Sequence, residues 1–271
     1  MQLSIEAENA LTALESWYKL QRSAVVALSG GVDSSLVCYL TMKFLGPENT
    51  LAVISDSPSL KRKDFAMAKE FCHSHKIPYH VINTQELIDK RYNENPINRC
   101  YFCKTHLYVD LNEVRQSQGM EKILNGHNLD DRGDYRPGMQ AADENGVLSP
   151  LDECGISKAI VRELAQYFSL SSWNKPASPC LSSRIPYGNQ VTRQRLQQIE
   201  SAEDYLEKLG FDTIRVRHTG QAARIEVSKE KIPILQGQMV DIQNHLQQLG
   251  FSDVEIDLEG FVSGKLNRGI T

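Results

Sequence analysis

The chain has 271 residues and a net charge of −4, from 30 Lys and Arg against 34 Asp and Glu. That length suits one large domain, or a large and a small one, with an ample core. The acidic balance argues against a general nucleic-acid surface, and no apolar run approaches the roughly 18 residues that span a bilayer. Glutamates near the N-terminus argue against a signal peptide, so we expect a cytoplasmic protein without a membrane partner. Its six cysteines should be thiols or metal-bound thiolates.

The most informative stretch joins a strand predicted over residues 24–28 to a helix predicted over residues 34–45, after a lead-in helix over 9–20. Between strand and helix, two glycines allow a tight turn whose free N–H groups, together with the helix dipole, face an anion. The turn lacks the lysine of a Walker P-loop and carries an aspartate and hydroxyls instead. We therefore predict a phosphate site formed by Ser29, Gly30, Gly31, Asp33, Ser34 and Ser35.

Further strands are predicted over residues 50–54, 79–82 and 122–124, alternating with helices over 61–75 and 104–118. This alternation predicts an α/β fold with a doubly wound parallel sheet. Ser55 follows one strand, and Asp130 and Asp131 follow another, at the carboxyl edge where open α/β sheets bind nucleotides. Asp131 is a candidate for holding Mg²⁺, although an Asp-Asp pair in a loop is commonly just solvated.

Three cysteines form a candidate sulfur or metal site. Cys100 and Cys103 are three residues apart at a helix start, a spacing that suits one shared metal. A redox pair and two unrelated half-buried cysteines are the alternatives, whereas a zinc site would want a second ligand pair, which is absent. With Cys180, three thiolates suit an iron–sulfur cluster of the 4Fe-4S type with one iron left open. Lys104, directly after the pair, could neutralise phosphate charge.

Cys180 lies in a stretch, residues 174–188, with too many prolines and small residues for a helix or a central strand. It is either a loop for sulfur chemistry beside an anion or a simple linker. Beyond it the pattern predicts helices over 192–209 and 231–249 and strands over 213–217, 223–227 and 254–258. We therefore place a nucleotide-binding domain at 1–188 and a smaller α/β domain at 189–271.

Strand alternation in the smaller domain puts Arg215 and Arg217 on one face, next to Arg224 and Glu226 of the following strand. Guanidinium groups in such an arrangement suit a phosphate or a carboxylate, because they bind two oxygens at once. A surface ladder of arginines is the alternative.

Several motifs resemble known enzymes. The turn SGGVDS resembles the pyrophosphate loop of the N-type ATP pyrophosphatases, which cleave ATP between the α and β phosphates. Together with GHNLDDRGDYRPGMQAA, PCLSSRIPYG, RVRHTGQAARIE and GFVSGKLN, the chain from about residue 23 to 267 resembles the LarE family. These PP-loop enzymes are ATP-dependent sulfur transferases that mature the nickel-pincer nucleotide cofactor of lactate racemase.

The resemblance implies a reaction and a set of contacts. In the presence of Mg²⁺, ATP adenylates a carboxylate of pyridinium-3,5-biscarboxylic acid mononucleotide, and pyrophosphate leaves. Sulfur then replaces AMP to give a thiocarboxylate. The sulfur comes from Cys180, which then ends as dehydroalanine, or from hydrosulfide on an open iron, and the additional Cys100 and Cys103 favour the second source. We expect a homo-oligomer. The implied cofactor and substrate contacts are Ser29, Gly30, Gly31, Asp33, Ser34, Ser35, Ser55, Arg136, Ser183, Arg184, Arg215 and Arg217.

Other functions remain open. A tRNA thiolation enzyme of the same superfamily would also adenylate and use a cluster, but we expect it to carry a basic RNA surface or an added zinc module. An amide-forming synthetase would need an ammonia source, and a glutaminase segment does not fit in the length. A non-catalytic nucleotide- or metal-sensing protein would bind ATP without releasing pyrophosphate.

Overall fold

The computed structural model describes residues 2–133 and 137–268, and the predicted contact Arg136 lies outside them. The described residues form α-helices and β-strands joined by loops and short 3₁₀ turns. The helices are α1 (Ile5–Tyr18), α2 (Val32–Leu45), α3 (Arg62–Ser74), α4 (Lys90–Asn93), α5 (Arg99–Ser117), α6 (Pro137–Glu144), α7 (Pro150–Glu153), α8 (Lys158–Tyr167), α9 (Arg193–Lys208), α10 (Ile232–Gly237) and α11 (Met239–Gln248). The strands are β1 (Ala24–Ala27), β2 (Thr50–Ser55), β3 (Tyr79–Ile82), β4 (Lys122–Leu124), β5 (Ile214–Thr219), β6 (Ala222–Val227) and β7 (Asp253–Ile256).

The chain divides into two compact units. Unit 1 comprises Met1–Glu86 and Asn98–Ser178, and unit 2 comprises Leu87–Ile97 and Pro179–Thr271. Unit 2 therefore begins before the predicted boundary at residue 189 and also takes in a segment from the first half of the chain. Hydrogen bonds within unit 2 explain this, because the side-chain amide of Asn95 donates to three carbonyls of the later segment. These belong to Ile185, Pro186 and Asn189, at 3.2, 2.7 and 2.9 Å.

Unit 1 contains a parallel sheet in the order β3-β2-β1-β4, which confirms the predicted α/β class. Successive residues of β1 face opposite sides, as strand geometry requires. Val26 packs into a core shared with α1, α2, α3 and α8, whereas Val25 packs into a second core shared with α5 and α6. Both valines are fully buried. The sheet is thus covered on both faces, which is why its strands read as nearly continuous apolar runs.

The order of these strands fixes where a ligand can bind in unit 1. From β1 the chain passes to β2 and then β3 on one side, and it returns to place β4 on the other side of β1. The carboxyl ends of β1 and β4 therefore flank a topological switch point. In open α/β sheets, ligands bind in the crevice at such a point.

Unit 2 contains a mixed sheet in the order β5-β6-β7, with β5 antiparallel to β6 and β6 parallel to β7. One face packs on α9 and α11 through an apolar core that includes Val216, Ile225 and Leu246. The helix predicted over 231–249 is instead two helices, α10 and α11, which meet at Gly237 and Gln238. Glycine favours a helix less than any residue except proline, so a break there is reasonable. No helix in the described part of the chain is long and apolar enough to cross a membrane.

Candidate active site

The predicted phosphate turn connects β1 to α2 at the switch point. Gly30 has φ of +73°, a left-handed conformation that glycine adopts without strain. Ser34 holds the turn closed: its hydroxyl accepts from the N–H of Ser29 at 3.2 Å and lies 3.0 Å from the Ser29 hydroxyl. The first residue before the helix, Gly31, has no side-chain cap, so N–H groups at the start of α2 are left for a ligand.

A second glycine lets the loop after β4 approach this turn. A Cβ atom on Gly126 would lie 2.6 Å from the backbone nitrogen of Ser34 and 2.9 Å from the carbonyl carbon of Asp33. No side chain fits at such distances without moving the backbone. The two loops at the switch point are therefore in direct contact, and glycine at residue 126 is what permits it.

Asp33 is held by two side chains that the sequence did not single out. Its Oδ1 accepts from the side-chain amide of Asn128 at 3.1 Å, and its Oδ2 accepts from the ammonium of Lys158 at the start of α8. Lys158 is fixed in turn by its backbone N–H, which donates to Asp130 at 2.9 Å. The carboxylate-rich loop after β4, which contains Asn128, was the sequence signal for a site here. The sequence gives no signal for Lys158, which only the fold brings to Asp33.

The other residues predicted at this edge organise the loops around them. Asp131 is buried, and its Oδ2 accepts the N–H of Asn128 at 3.1 Å. Ser55, at the end of β2, lies with its hydroxyl 3.0 Å from that of Thr84, beyond the end of β3. Ser55 thus ends β2, and Asp131 lies in the turn after β4, so both are at the carboxyl edge of the sheet.

Cys100, Cys103 and Lys104 lie near the start of α5, which begins at Arg99 rather than at the predicted residue 104. Both cysteines are half-buried and one helical turn apart, so their side chains share a face. The stem of Lys104 packs closely against α6, since a Cβ on Gly138 would lie 3.0 Å from its Cγ. Two thiolates at this spacing suit a shared metal. Within residues 2–133 and 137–268 no group of three or more His, Cys, Asp or Glu is arranged to hold a metal.

In unit 2, Cys180 is exposed and Arg184 organises its loop. Arg184 is fully buried and donates from Nη1 to the carbonyls of Pro179 at 2.6 Å and Cys180 at 3.0 Å, and to the Ser183 hydroxyl at 3.0 Å. These bonds give Arg184 a role in shaping the cysteine loop, and its contact with an anion stays a prediction.

Arg215 and Arg217 project from β5 on the face away from the apolar core, as the alternation predicts. Arg217 forms a bidentate pair with Glu226, at 2.9 and 2.8 Å, and donates to the carbonyl of Ser183 at 2.7 Å. Arg215 lies against the ring of Phe261. Burial, and then the positive charges of Arg184 and Arg217, lower the pKa of Arg215 to about 10. Three guanidinium groups thus lie near two buried carboxylates, an excess of positive charge that favours an anion.

A parallel sheet with a glycine-rich SGGVDS turn at its switch point defines the class of ATP-cleaving PP-loop enzymes. Consistent with this, residues 14–100 match the protein-family model described as NAD synthase.

Comparison with known proteins narrows the class to a family. The chain is 36% identical over 265 residues to pyridinium-3,5-bisthiocarboxylic acid mononucleotide synthase of Lactiplantibacillus plantarum, covering 98% of this chain and 96% of the relative. It is 41% identical to the uncharacterized protein slr1717 of Synechocystis, covering 97% and 99%. A tRNA-specific 2-thiouridylase MnmA of Clostridium botulinum is 25% identical, covering 74% and 65%. The chain belongs to the LarE family of pyridinium-3,5-bisthiocarboxylic acid mononucleotide synthases, which confirms the resemblance. It is an ATP-dependent enzyme that forms AMP and pyrophosphate and acts as a sulfur transferase.

Proposed function

We propose that this enzyme uses ATP to adenylate a carboxylate of pyridinium-3,5-biscarboxylic acid mononucleotide and then converts it to a thiocarboxylate. The observation that carries the proposal is the SGGVDS turn at the switch point, with Asp33 held by Asn128 and Lys158. The similarity to a synthase of the bisthiocarboxylic acid product, over 98% of the chain, supports this choice of substrate.

The first half-reaction gives the carboxylate a leaving group. A carboxylate oxygen attacks the α-phosphorus of ATP, the bond to the bridging oxygen breaks, and pyrophosphate departs with the electron pair. The N–H groups of the turn and the start of α2 stabilise the charge on the phosphates. Lys104 is proposed to neutralise phosphate charge as well. Carboxylates are preferred ligands of Mg²⁺ beside phosphates, so Asp131 is proposed to hold that ion.

The second half-reaction replaces AMP by sulfur. A sulfur nucleophile attacks the acyl carbon, and AMP leaves with the electrons of the acyl–oxygen bond. If Cys180 is the donor, a thioester forms, a base removes the Cα proton of the cysteine, and the Cβ–S bond breaks to leave thiocarboxylate and dehydroalanine.

We propose the other donor, hydrosulfide, with Cys100, Cys103 and Cys180 as ligands of a 4Fe-4S cluster. Thiolates are the usual ligands of such clusters, and the pair on α5 has suitable spacing. When bound, the cluster would supply an open iron for hydrosulfide. The three thiolates would hold the cluster, and Cys180 would not be consumed.

The arginines of unit 2 are proposed to bind the phosphate of the mononucleotide. Arg184, Arg215 and Arg217 together carry one positive charge more than Glu203 and Glu226 balance. A planar guanidinium suits phosphate oxygens, and the fork of Arg217 is already paired with Glu226, so the excess charge lies with Arg215. We also keep the homo-oligomer as a prediction.

The test is pyrophosphate release with purified protein, ATP and Mg²⁺, with either the pyridinium biscarboxylate mononucleotide or unmodified tRNA added. We expect release with the mononucleotide, and Asp33→Asn should abolish it. Asp241→Asn, at an exposed position on α11, is the matched control and should behave as wild type. Wild-type release by Asp33→Asn would refute the site, and stimulation by tRNA alone would favour a tRNA thiolation enzyme.

A further inference from the structure

Residues 175–178, which we call the strap, are fastened to the phosphate turn within unit 1. The ammonium of Lys175 donates to the carbonyl of Gly30 at 2.9 Å and pairs with Asp64 at 2.9 Å. At the other end of the strap, the hydroxyl of Ser178 donates to the second oxygen of Asp64, also at 2.9 Å. Asp64 therefore binds both ends of the strap. In the chain, Ser178 is followed by Pro179 and then by Cys180.

The ion pair in the strap is nearly removed from solvent. The side chains of Lys175 and Asp64 are 13% and 9% exposed. Burying two charges is costly, and an apolar pair of similar size often gives equal stability, so the pair is weak evidence for a purely stabilising role. The presence of an ammonium directly on the phosphate turn suggests a role in the reaction instead.

Contacts fix both the chain that enters the strap and the glycine that Lys175 contacts. Arg162 of α8 donates to the carbonyls of Trp173 at 2.7 Å and Lys175 at 2.8 Å, which fixes the chain entering the strap. Gly30 is seated on the first turn of α3, since a Cβ there would lie 3.0 Å from the carbonyl oxygen of Asp64. A change at the Lys175 ammonium can therefore reach Ser178 through Asp64, which contacts both side chains.

We propose that Lys175 and Asp64 are positioning residues that couple phosphate binding at the turn to the segment leading to Cys180. An ATP phosphate brings negative charge to the Gly30–Gly31 turn and attracts the ammonium that Asp64 now shares. As the ammonium moves toward the phosphate, its ion pair with Asp64 weakens, and the hydrogen bond from Ser178 to Asp64 changes. ATP binding thereby sets the conformation of the cysteine loop before sulfur transfer.

The coupling between ATP binding and the conformation of the strap is reciprocal, as thermodynamic linkage requires. If ATP favours one state of the strap, that state must favour ATP by the same factor, commonly about 5- to 150-fold. The role in sulfur transfer rests on the proposed function, whereas the coupling between ATP and the cysteine loop does not. A simple anchor, by contrast, would make the same contacts with and without ATP.

The experiment measures the rate at which iodoacetamide alkylates Cys180, which is exposed, by mass spectrometry of the peptide that contains it. Rates are compared without nucleotide and with saturating ATP and Mg²⁺, so that no thiolation is needed. In wild type we expect ATP to change the rate by at least about 5-fold. Lys175→Met should remove this dependence, and Lys175→Arg should restore most of it because the charge returns.

Two further variants keep the test decisive. Lys175→Met leaves Asp64 buried without its cation, so the double variant Lys175→Met/Asp64→Asn, which removes both charges, is measured in case the single variant does not fold. Lys122→Met, at an exposed position at the amino end of β4, is the matched control and should keep the ATP dependence.

The outcomes separate this inference from the proposed function. An unchanged alkylation rate with ATP in wild type, or full ATP dependence in Lys175→Met and in the double variant, overturns the coupling. If wild type shows the coupling but forms no thiocarboxylate, the proposed function fails and the inference stands. If both hold, Lys175→Met should also form fewer thiocarboxylates per pyrophosphate released.

Discussion

Arg184 and Glu203 form a bidentate ion pair in which both side chains are buried. The two bonds, from Nε and Nη2 to the carboxylate oxygens, measure 2.9 and 3.1 Å, and the side chains are 0% and 1% exposed. Glu203 also accepts the backbone N–H of Val216 at 3.1 Å. The pair thus joins the loop of Cys180 to α9 and β5 within unit 2.

Removing one member of this pair should make unit 2 easier to unfold. Arg184→Met removes the bidentate partner of the buried Glu203 carboxylate, and we expect it to lower the free energy of unfolding by about 3–5 kcal/mol. The double variant Arg184→Met/Glu203→Leu should recover much of that loss. Urea denaturation followed by circular dichroism measures both, and a loss below about 1 kcal/mol in the single variant would contradict this account.

The sequence predicted the parts of the site that are local in the chain. The strand, the two glycines and the hydroxyls of the phosphate turn are adjacent residues, so their geometry follows from local backbone rules. The partners of Asp33 could not be found this way, because Asn128 and Lys158 are 95 and 125 residues away. Likewise, the position of Arg184 beside Cys180 was evident, but its burial against Glu203 depends on how α9 packs.

Gly126→Ala should damage the phosphate turn. The new methyl group would lie 2.6 Å from the nitrogen of Ser34, so one of the two loops must move. Because a misplacement of about 1 Å near the reacting groups can cost about 10²-fold in rate, we expect pyrophosphate release to fall by that order. Gly237→Ala, whose Cβ would meet nothing within 4 Å, is the control and should keep wild-type release. Equal activity of both variants would show that the loop approach is unimportant.

Arg217→Lys should weaken binding of the mononucleotide more than an Arg→Lys change at an exposed position does. Lysine keeps the charge but cannot reproduce the two parallel bonds to Glu226 or the bond to Ser183, so the local anion site loses its shape. We expect the KM for the mononucleotide to rise about 10-fold or more, equivalent to roughly 1.4 kcal/mol. Arg215→Lys should act in the same direction.

Arg224→Lys is the matched control for the arginine variants, because Arg224 pairs with Glu255 on the same sheet while both side chains are nearly half exposed. Its KM should stay close to that of wild type. If all three variants bind the mononucleotide equally well, the arginines form a structural ladder and not a phosphate site.

His218 should make unit 2 less stable in acid. It is 3% exposed, and burial, followed by the positive charge of Arg195, lowers its pKa from 6.5 to about 4. Between these values the unfolded chain binds more protons than the folded one, so stability rises with pH. The contribution is complete above about pH 6.5 and is lost as the pH falls toward 4. His218→Gln should flatten the dependence of the unfolding free energy on pH in that window, and an unaltered slope would contradict the assignment.

The last prediction concerns the source of sulfur. If Cys100, Cys103 and Cys180 hold a cluster, each single change to alanine should lose both iron content and sulfide-dependent thiolation while pyrophosphate release continues, because adenylation does not use the thiols. Cys154→Ala, at another half-buried cysteine of unit 1, is the matched control and should keep both. If Cys180 is instead a sacrificial donor, only Cys180→Ala should stop transfer.

Mass spectrometry of the wild-type protein after turnover, with and without added sulfide, distinguishes the two mechanisms. A sacrificial donor converts Cys180 to dehydroalanine, so the protein becomes lighter by the mass of hydrogen sulfide and turns over once. A cluster leaves the chain unchanged in mass and permits many turnovers with added sulfide, after anaerobic reconstitution with iron. We expect the second result, because a sacrificial Cys180 gives no reason for Cys100 and Cys103 to share one turn of α5. A stoichiometric mass loss at Cys180 would refute the cluster mechanism.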